Sequence, residues 1–108
     1  PDWYSTRMIV EPAEMKAMYE ADRNMVIGDI CARRYNLMGE FIHNEYSARI
    51  MGISEENLRR IENVLCIAAG KQKILSILGA LRTNVLNYLV TDEATARSVL
   101  ELAGPEQA

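Results

Sequence analysis

Apolar positions in the second half of the chain alternate between helical spacing and short unbroken runs. Val64 to Ala68 is a run of strand character. Ile74, Ile77, Leu78 and Leu81, with Val85 one turn on, recur at i, i+3, i+4, i+7 spacing and predict an amphipathic helix over 72–84. Asn87-Tyr88-Leu89-Val90 is a second short run. Asp92 or Thr91 then offers an N-cap, acids fill the first turn, and Ala96, Val99, Leu100 and Ala103 form the apolar face of a last helix that Gly104-Pro105 ends. Residues 63–104 therefore read as strand–helix–strand–helix. Two strands joined by a helix of this length lie parallel, with a right-handed crossover.

The first half is less periodic. Met8–Val10 has the composition of a short strand. Pro12 at a helix start suits a helix over 13–21, with Met15, Met18 and Tyr19 on one face, closed by Arg23-Asn24. Ile30 to Tyr35 reads as a strand, Asn36-Leu37-Met38-Gly39 as a turn and Glu40-Phe41-Ile42 as a returning strand, which makes a β-hairpin. After Ile50-Met51-Gly52-Ile53, Ser54 caps a short helix ending near Glu62. Leu58, Ile61 and Leu65 mark its buried side, and Arg59-Arg60 its solvated one. The fold class expected is α/β: a partial open sheet with a parallel βαβα unit plus a β-hairpin.

Two places carry candidate chemistry. In Ala68-Ala69-Gly70-Lys71-Gln72-Lys73 a strand breaks at glycine and opens a helix. Free backbone N–H groups, the helix N-terminus and two lysines together suit a phosphate or carboxylate. The same residues are equally an ordinary βα turn with two solvated lysines. In parallel sheets ligands gather at the C-terminal strand ends, and the turns 69–73 and 91–93 both lie there. If the strands are neighbours, a basic and an acidic cluster face one another. The second place is Asp29, set between Ile27 and Ile30, where a carboxylate is costly to bury alone. It is either a local turn cap or a ligand-facing group. His43, a lone histidine on a loop, reads as structural or solvated.

Composition narrows the classes. The 108 residues make one domain or part of one, and 49% apolar with 25% charged content is that of a globular chain. With a net charge of −3 and scattered basic residues, there is no nucleic-acid-binding stripe. No apolar run approaches membrane-spanning length, and no signal peptide is evident. Pro1 in place of Met suggests a processed product or a cut piece. Cys31 and Cys66 read as two reduced, buried thiols of a cytoplasmic protein, too dispersed with a single histidine for a zinc site. Residues 106–108 should fray.

Five motifs occur in one order: Val26-Ile27-Gly28-Asp29-Ile30-Cys31, the turn ending at Gly39, Ile50-Met51-Gly52-Ile53-Ser54, Ala68-Ala69-Gly70-Lys71-Gln72-Lys73, and Leu89-Val90-Thr91-Asp92-Glu93-Ala94-Thr95-Ala96. In that order the chain resembles, from about residue 24 to 103, the C-terminal part of the effector domain of SorC-type (DeoR-like sugar-binding) bacterial transcriptional regulators. The resemblance implies a fold like that of sugar-phosphate isomerases and glucosamine-6-phosphate deaminase. It implies a phosphorylated-sugar effector, no catalysis and no cofactor. Asp29 and Lys73 match the family's effector contacts, with Gly28, Ala69 and Gly70 forming the backbone beside them. Asp29 would accept hydrogen bonds from sugar hydroxyls, and Lys73 would pair with phosphate. Ala69 departs from the family pattern, which has a second glycine there.

The expectation is that residues 1–108 are the C-terminal portion of such a domain, roughly the last third of a regulator. DNA would then be contacted only through a helix-turn-helix that this chain lacks. Self-association through the face left open is expected too. Two alternatives accompany it. One is a sugar-phosphate isomerase- or deaminase-like enzyme, with Asp29 as base and His43 a poorer one. The other is a stand-alone dimerising module.

Overall fold

The computed structural model describes residues 12–44 and 52–104. The expected strand at Met8–Val10, the lead-in at Ile50-Met51 and the frayed end 106–108 lie outside the described residues. Element order is α1 (Pro12–Ala21), β1 (Gly28–Ile30), β2 (Arg33–Tyr35), α2 (Glu55–Arg60), β3 (Leu65–Ile67), a 3-10 turn (Lys71–Lys73), α3 (Ile74–Arg82), β4 (Tyr88–Val90) and α4 (Glu93–Ala103).

The C-terminal half follows the hydrophobic pattern. β3 and β4 pair in parallel, Leu65 with Tyr88, Cys66 with Leu89 and Ile67 with Val90, and α3 makes the crossover. Its buried side carries Ile74, Leu75, Ile77 and Leu78, which pack with Leu37 and with Val99 of α4. Ala68 and Leu89 close over the same cluster from the sheet. Asn84, at φ 62, ends the α3 region in the left-handed conformation that asparagine tolerates. The Arg59 guanidinium donates to the Thr83 carbonyl at 2.7 Å, at the end of the same helix.

The antiparallel part differs from its expected layout. A tight turn at Cys31-Ala32 splits the strand expected over 30–35 and joins β1 to β2, with Gly28 opposite Tyr35 and Asp29 opposite Arg34. Both turn residues have positive φ, 51 and 68, as a two-residue hairpin turn requires, although neither is Gly or Asn. The turn expected at 36–39 is present as a second reversal, in which Phe41 bridges back to Tyr35. The buried Asn36 side chain holds it, accepting from the Glu40 amide at 2.9 Å and donating to the Arg23 carbonyl at 2.9 Å. Gly39 sits in this reversal at φ 86, pressed so closely on the Arg82 backbone that a Cβ would collide with it.

The parallel βαβα unit and a β-hairpin are both present, as two separate two-stranded sheets in a mixed α/β arrangement with α3 between them. The Ser76 hydroxyl donates to the Ile27 carbonyl (2.8 Å), and the Tyr35 hydroxyl donates to the Ser76 carbonyl (2.7 Å). Gly79 lets Ile27 and Tyr35 approach α3 closely. A second core, Tyr35, Phe41, Leu58, Ala80 and Val85, lies behind this joint.

Several faces were assigned too widely. Met18, Ile61, Leu65, Leu81 and Leu100 are exposed. Cys31 is exposed and Cys66 half-buried, against the expected pair of buried thiols. Ser54 caps α2 as expected, its hydroxyl accepting from the Asn57 amide. Arg60 pairs with Glu56 in solvent, but Arg59 also lies 5.3 Å over the Phe41 ring, so only one of the two arginines is purely a solvated-face residue. Glu55 takes Arg59 and His43 together. Burial pushes its carboxyl up, and those hydrogen bonds outweigh the burial and hold it below the usual range.

Candidate functional site

The parallel pair aims two turns at the same end of the small sheet. The Ala68 amide donates to the Val90 carbonyl at 3.1 Å, which carries the ladder one step past β3. The chain then breaks at Gly70, φ 110 and ψ 159, a conformation that is nearly glycine's alone. Space beside it is open, since a Cβ there would meet nothing within 4 Å. Ala69 has no positive φ, so alanine sits there without backbone strain despite departing from the expected second glycine.

Lys71, Gln72 and Lys73 follow as an exposed 3-10 turn, with the Lys73 amide donating to the Gly70 carbonyl at 3.0 Å. Among the described residues neither Lys71 nor Lys73 is tied to an acid. Opposite them Asp92 caps α4, accepting from the Thr95 amide at 2.7 Å. The Thr95 amide and hydroxyl hold the Asp92 carboxyl below the usual range. The same Thr95 hydroxyl oxygen accepts from the Gly70 amide at 2.9 Å. The basic and acidic turns are thereby joined by one buried side chain. Thr91 precedes the cap, and its hydroxyl oxygen is buried with no partner among the described residues.

Asp29 is neither a turn cap nor buried. It stands exposed on β1, opposite Arg34. The hairpin that carries it is bonded through Ile27 and Tyr35 to Ser76 in the first turn of α3, and Lys73 directly precedes that helix. Gly28 lies under the Tyr35 ring, where a Cβ would overlap the hydroxyl. Burial, then negative charge on Cys66 and on Asp29, pushes Tyr35 up to about 12. His43 is held by Glu55 at 2.5 Å on the surface.

The Tyr35 shift has a measurable consequence. An unfolded tyrosine loses its proton near pH 10, before the folded one does. The stability from this group is therefore complete below about pH 10 and is lost as pH rises toward about 12. Ultraviolet titration should show one of the chain's five tyrosines ionising last, and Tyr35→Phe should delete that step.

A cleft of about 380 Å³ opens between α1 and the 3-10 turn, lined by Met15, Tyr19, Ile27 and Leu75 with Lys71, Gln72 and Ser76 among its polar groups. None of Gly28, Asp29, Ala69, Gly70 or Lys73 lines it. Sequence reasoning missed this cleft because α1 shows only a partial apolar stripe. It missed Thr95 as well, although Asp92-x-x-Thr95 has capping spacing that could have been noticed. Among the described residues no three His, Cys, Asp or Glu side chains could hold a metal, and no helix is long and apolar enough to cross a membrane.

A parallel strand pair with a glycine-broken, lysine-bearing turn at its carboxyl end is an α/β arrangement of the type in which ligands ordinarily gather at that end. The chain belongs to the sugar-binding domain family: the family model described as "Putative sugar-binding domain" matches residues 5–101. It is 32% identical over 78 residues to the deoxyribonucleoside regulator of Bacillus subtilis (strain 168), covering 72% of this chain and 25% of that one. It is 37% identical over 76 residues to the sorbitol operon regulator of Klebsiella pneumoniae, covering 70% and 24%. The crystal structure of a transcriptional regulator from Streptococcus pneumoniae TIGR4 superposes with a TM-score of 0.68 at 32% identity, covering 89% of this chain and 36% of that one. The chain thus spans about a quarter of the length of the curated relatives it matches. Those relatives are transcriptional regulators rather than enzymes.

Proposed function

We propose that this chain is the C-terminal part of the effector-sensing domain of a DNA-binding transcriptional regulator, and that the effector is a phosphorylated sugar. One observation carries the reading: the Gly70–Lys73 turn and the Asp92 turn stand side by side at the carboxyl ends of a parallel pair, with two lysines that no acid among the described residues claims. In this reading Lys73 and the Gly70 backbone take the phosphate, and Asp29 takes sugar hydroxyls, with Gly28 and Ala69 shaping the approach. A domain fold like that of sugar-phosphate isomerases and glucosamine-6-phosphate deaminase accords with ligand capture at strand ends. DNA contact belongs to a helix-turn-helix elsewhere in the parent regulator, which works in the cytoplasm. The part played by this chain is binding without catalysis.

Amide-resolved NMR titration tests it. Pentose and hexose phosphates, added to about 10 mM because one wall of a site binds weakly, should shift the amides of Gly70, Lys71, Lys73 and Asp29. The corresponding free sugars should shift them less. No shifts with any sugar phosphate, or shifts confined to the α1 cleft, would remove the reading.

A further inference from the structure

Backbone pairing carries β3 as far as the bond from the Ala68 amide to the Val90 carbonyl, at 3.1 Å. Two residues on, the link between the two turns is made by a side chain: the Gly70 amide donates to the Thr95 hydroxyl oxygen at 2.9 Å. Packing does little to fix the chain at that point. Gly70 has no side chain, nothing lies within 4 Å of where its Cβ would be, and glycine has the widest backbone freedom of any residue. Lys71, Gln72 and Lys73 beyond it are exposed.

The surroundings of Thr95 suit it to an anchor. It is only 4% exposed. It stands three residues after the Asp92 cap of α4, and its amide donates to that carboxylate at 2.7 Å. At this position a capping box has Glu or Gln, whose side chain returns to the amide of the capping residue. Here the residue is threonine, and its hydroxyl serves a different part of the chain, 25 positions away. The hydroxyl proton goes to the Asp92 carboxylate, which leaves an oxygen lone pair for the Gly70 amide. Donating to a carboxylate also makes that oxygen a stronger acceptor. β-Branching limits rotation of the side chain within the helix, so the oxygen stays on target.

We propose that Thr95 is the positioning residue of the Gly70–Lys73 turn: its hydroxyl, aimed by Asp92, holds the glycine joint in one place and so sets where Lys73 stands. All of the groups concerned lie within the one β3–α3–β4–α4 unit. The consequence for ligand rests on the reading of Lys73 as a phosphate contact. Released from Thr95, the turn spends part of its time elsewhere, and affinity falls in proportion to the time lost. The hold on Gly70 itself does not rest on that reading and is measured without ligand.

Amide-resolved NMR of the 108-residue chain tests it with two variants. Thr95→Val keeps the side-chain shape and the amide bond to Asp92 but has no hydroxyl, and Thr95→Ser keeps the hydroxyl. Without ligand, Thr95→Val should speed solvent exchange at the Gly70 amide roughly three- to tenfold and leave the Ala68 and Leu78 amides unchanged. Thr95→Ser should stay within about twofold of the parent chain. With glucose 6-phosphate and ribose 5-phosphate as probes, Thr95→Val should lower affinity by roughly two- to tenfold, and Thr95→Ser should restore it. Unchanged exchange at Gly70 in Thr95→Val overturns the proposal. So does exchange that rises equally at Leu78, which is a loss of overall stability. A serine variant that exchanges as fast as the valine one overturns it too, because the hydroxyl is then not the cause. So does a valine variant that frees Gly70 yet binds the probes as tightly as the parent does. A parent chain that binds neither probe removes the phosphate reading alone, since exchange at Gly70 still decides the hold by Thr95.

Discussion

Gly39→Ala is expected to lower stability by about 2–5 kcal/mol. Two effects combine. The residue sits at φ 86, where a Cβ strains the backbone, and that Cβ would also strike the Arg82 carbonyl group. The obstacle is main chain at the end of α3, so no side chain can swing aside. A domain of this size has about 5–15 kcal/mol in total, so a substantial share would go. Gly70→Ala is the informative comparison. Its φ of 110 is as unsuitable for alanine, but nothing lies within 4 Å of the added Cβ. It should lose only the backbone part, about 1–3 kcal/mol. Urea unfolding of the two variants reads both effects. Equal midpoints would mean that the contact with Arg82 contributes nothing.

Lys73→Ala should do the reverse, leaving the fold intact and removing ligand affinity. Lys73 is exposed, and among the described residues no acid holds it, so its loss should change stability by less than about 0.5 kcal/mol. A lysine–phosphate contact is worth about 1.5–3 kcal/mol, so affinity for a sugar phosphate should fall roughly 10- to 150-fold. Lys71→Ala controls for charge alone, since Lys71 lies in the same turn but lines the α1 cleft. If both variants weaken binding equally, the turn acts as a diffuse positive field. If Lys73→Ala leaves the affinity intact, the phosphate contact lies elsewhere.

Legibility of the fold followed local regularity. The β3–α3–β4–α4 unit could be read because its apolar period is strong and its breaks are marked by Gly70, Asp92 and Gly104. The first hairpin went unread for a definite reason. Its two-residue turn is Cys31-Ala32, without the Asn or Gly that normally announces positive φ, while Asn36 to Gly39 announces a turn loudly. Both turns exist, and the quieter one separates the paired strands. The exposure of Leu65 and Leu100 was invisible for another reason. Periodicity reports which side of an element is apolar, not whether anything covers it.

The candidate site was legible as chemistry and not as connection. Lys73, Gly70 and the Asp92 cap could be picked out by type and spacing. Their joining by Thr95, 25 positions from Gly70, could not. Asp29 was left between a turn cap and a ligand-facing group, because the strand it occupies is defined by pairing with residues 33–35 and by the docking of Ile27 on Ser76, which lie elsewhere in the chain. Arg59 was given to solvent by its neighbour's pattern, although its partners, Thr83 and Phe41, come from elsewhere in the chain.

The register of the parallel pair bears on synthesis. Each β3 residue finds its partner 23 positions later, as Leu65 does at Tyr88. Antiparallel β1 and β2 are complete within eight residues of one another and can close as soon as they emerge. β3 cannot. At translation rates of roughly 5–20 residues per second, it spends about 1–5 s outside the ribosome before Val90 has emerged. α3 forms in microseconds, so helix formation does not cause the delay. During that interval an uncharged, apolar strand has both edges open. The speed of synthesis while residues 68–90 emerge, rather than a folding barrier, sets how long the nascent chain is exposed to wrong pairing. Slow codons read during that emergence would lengthen the exposure without changing a single amino acid.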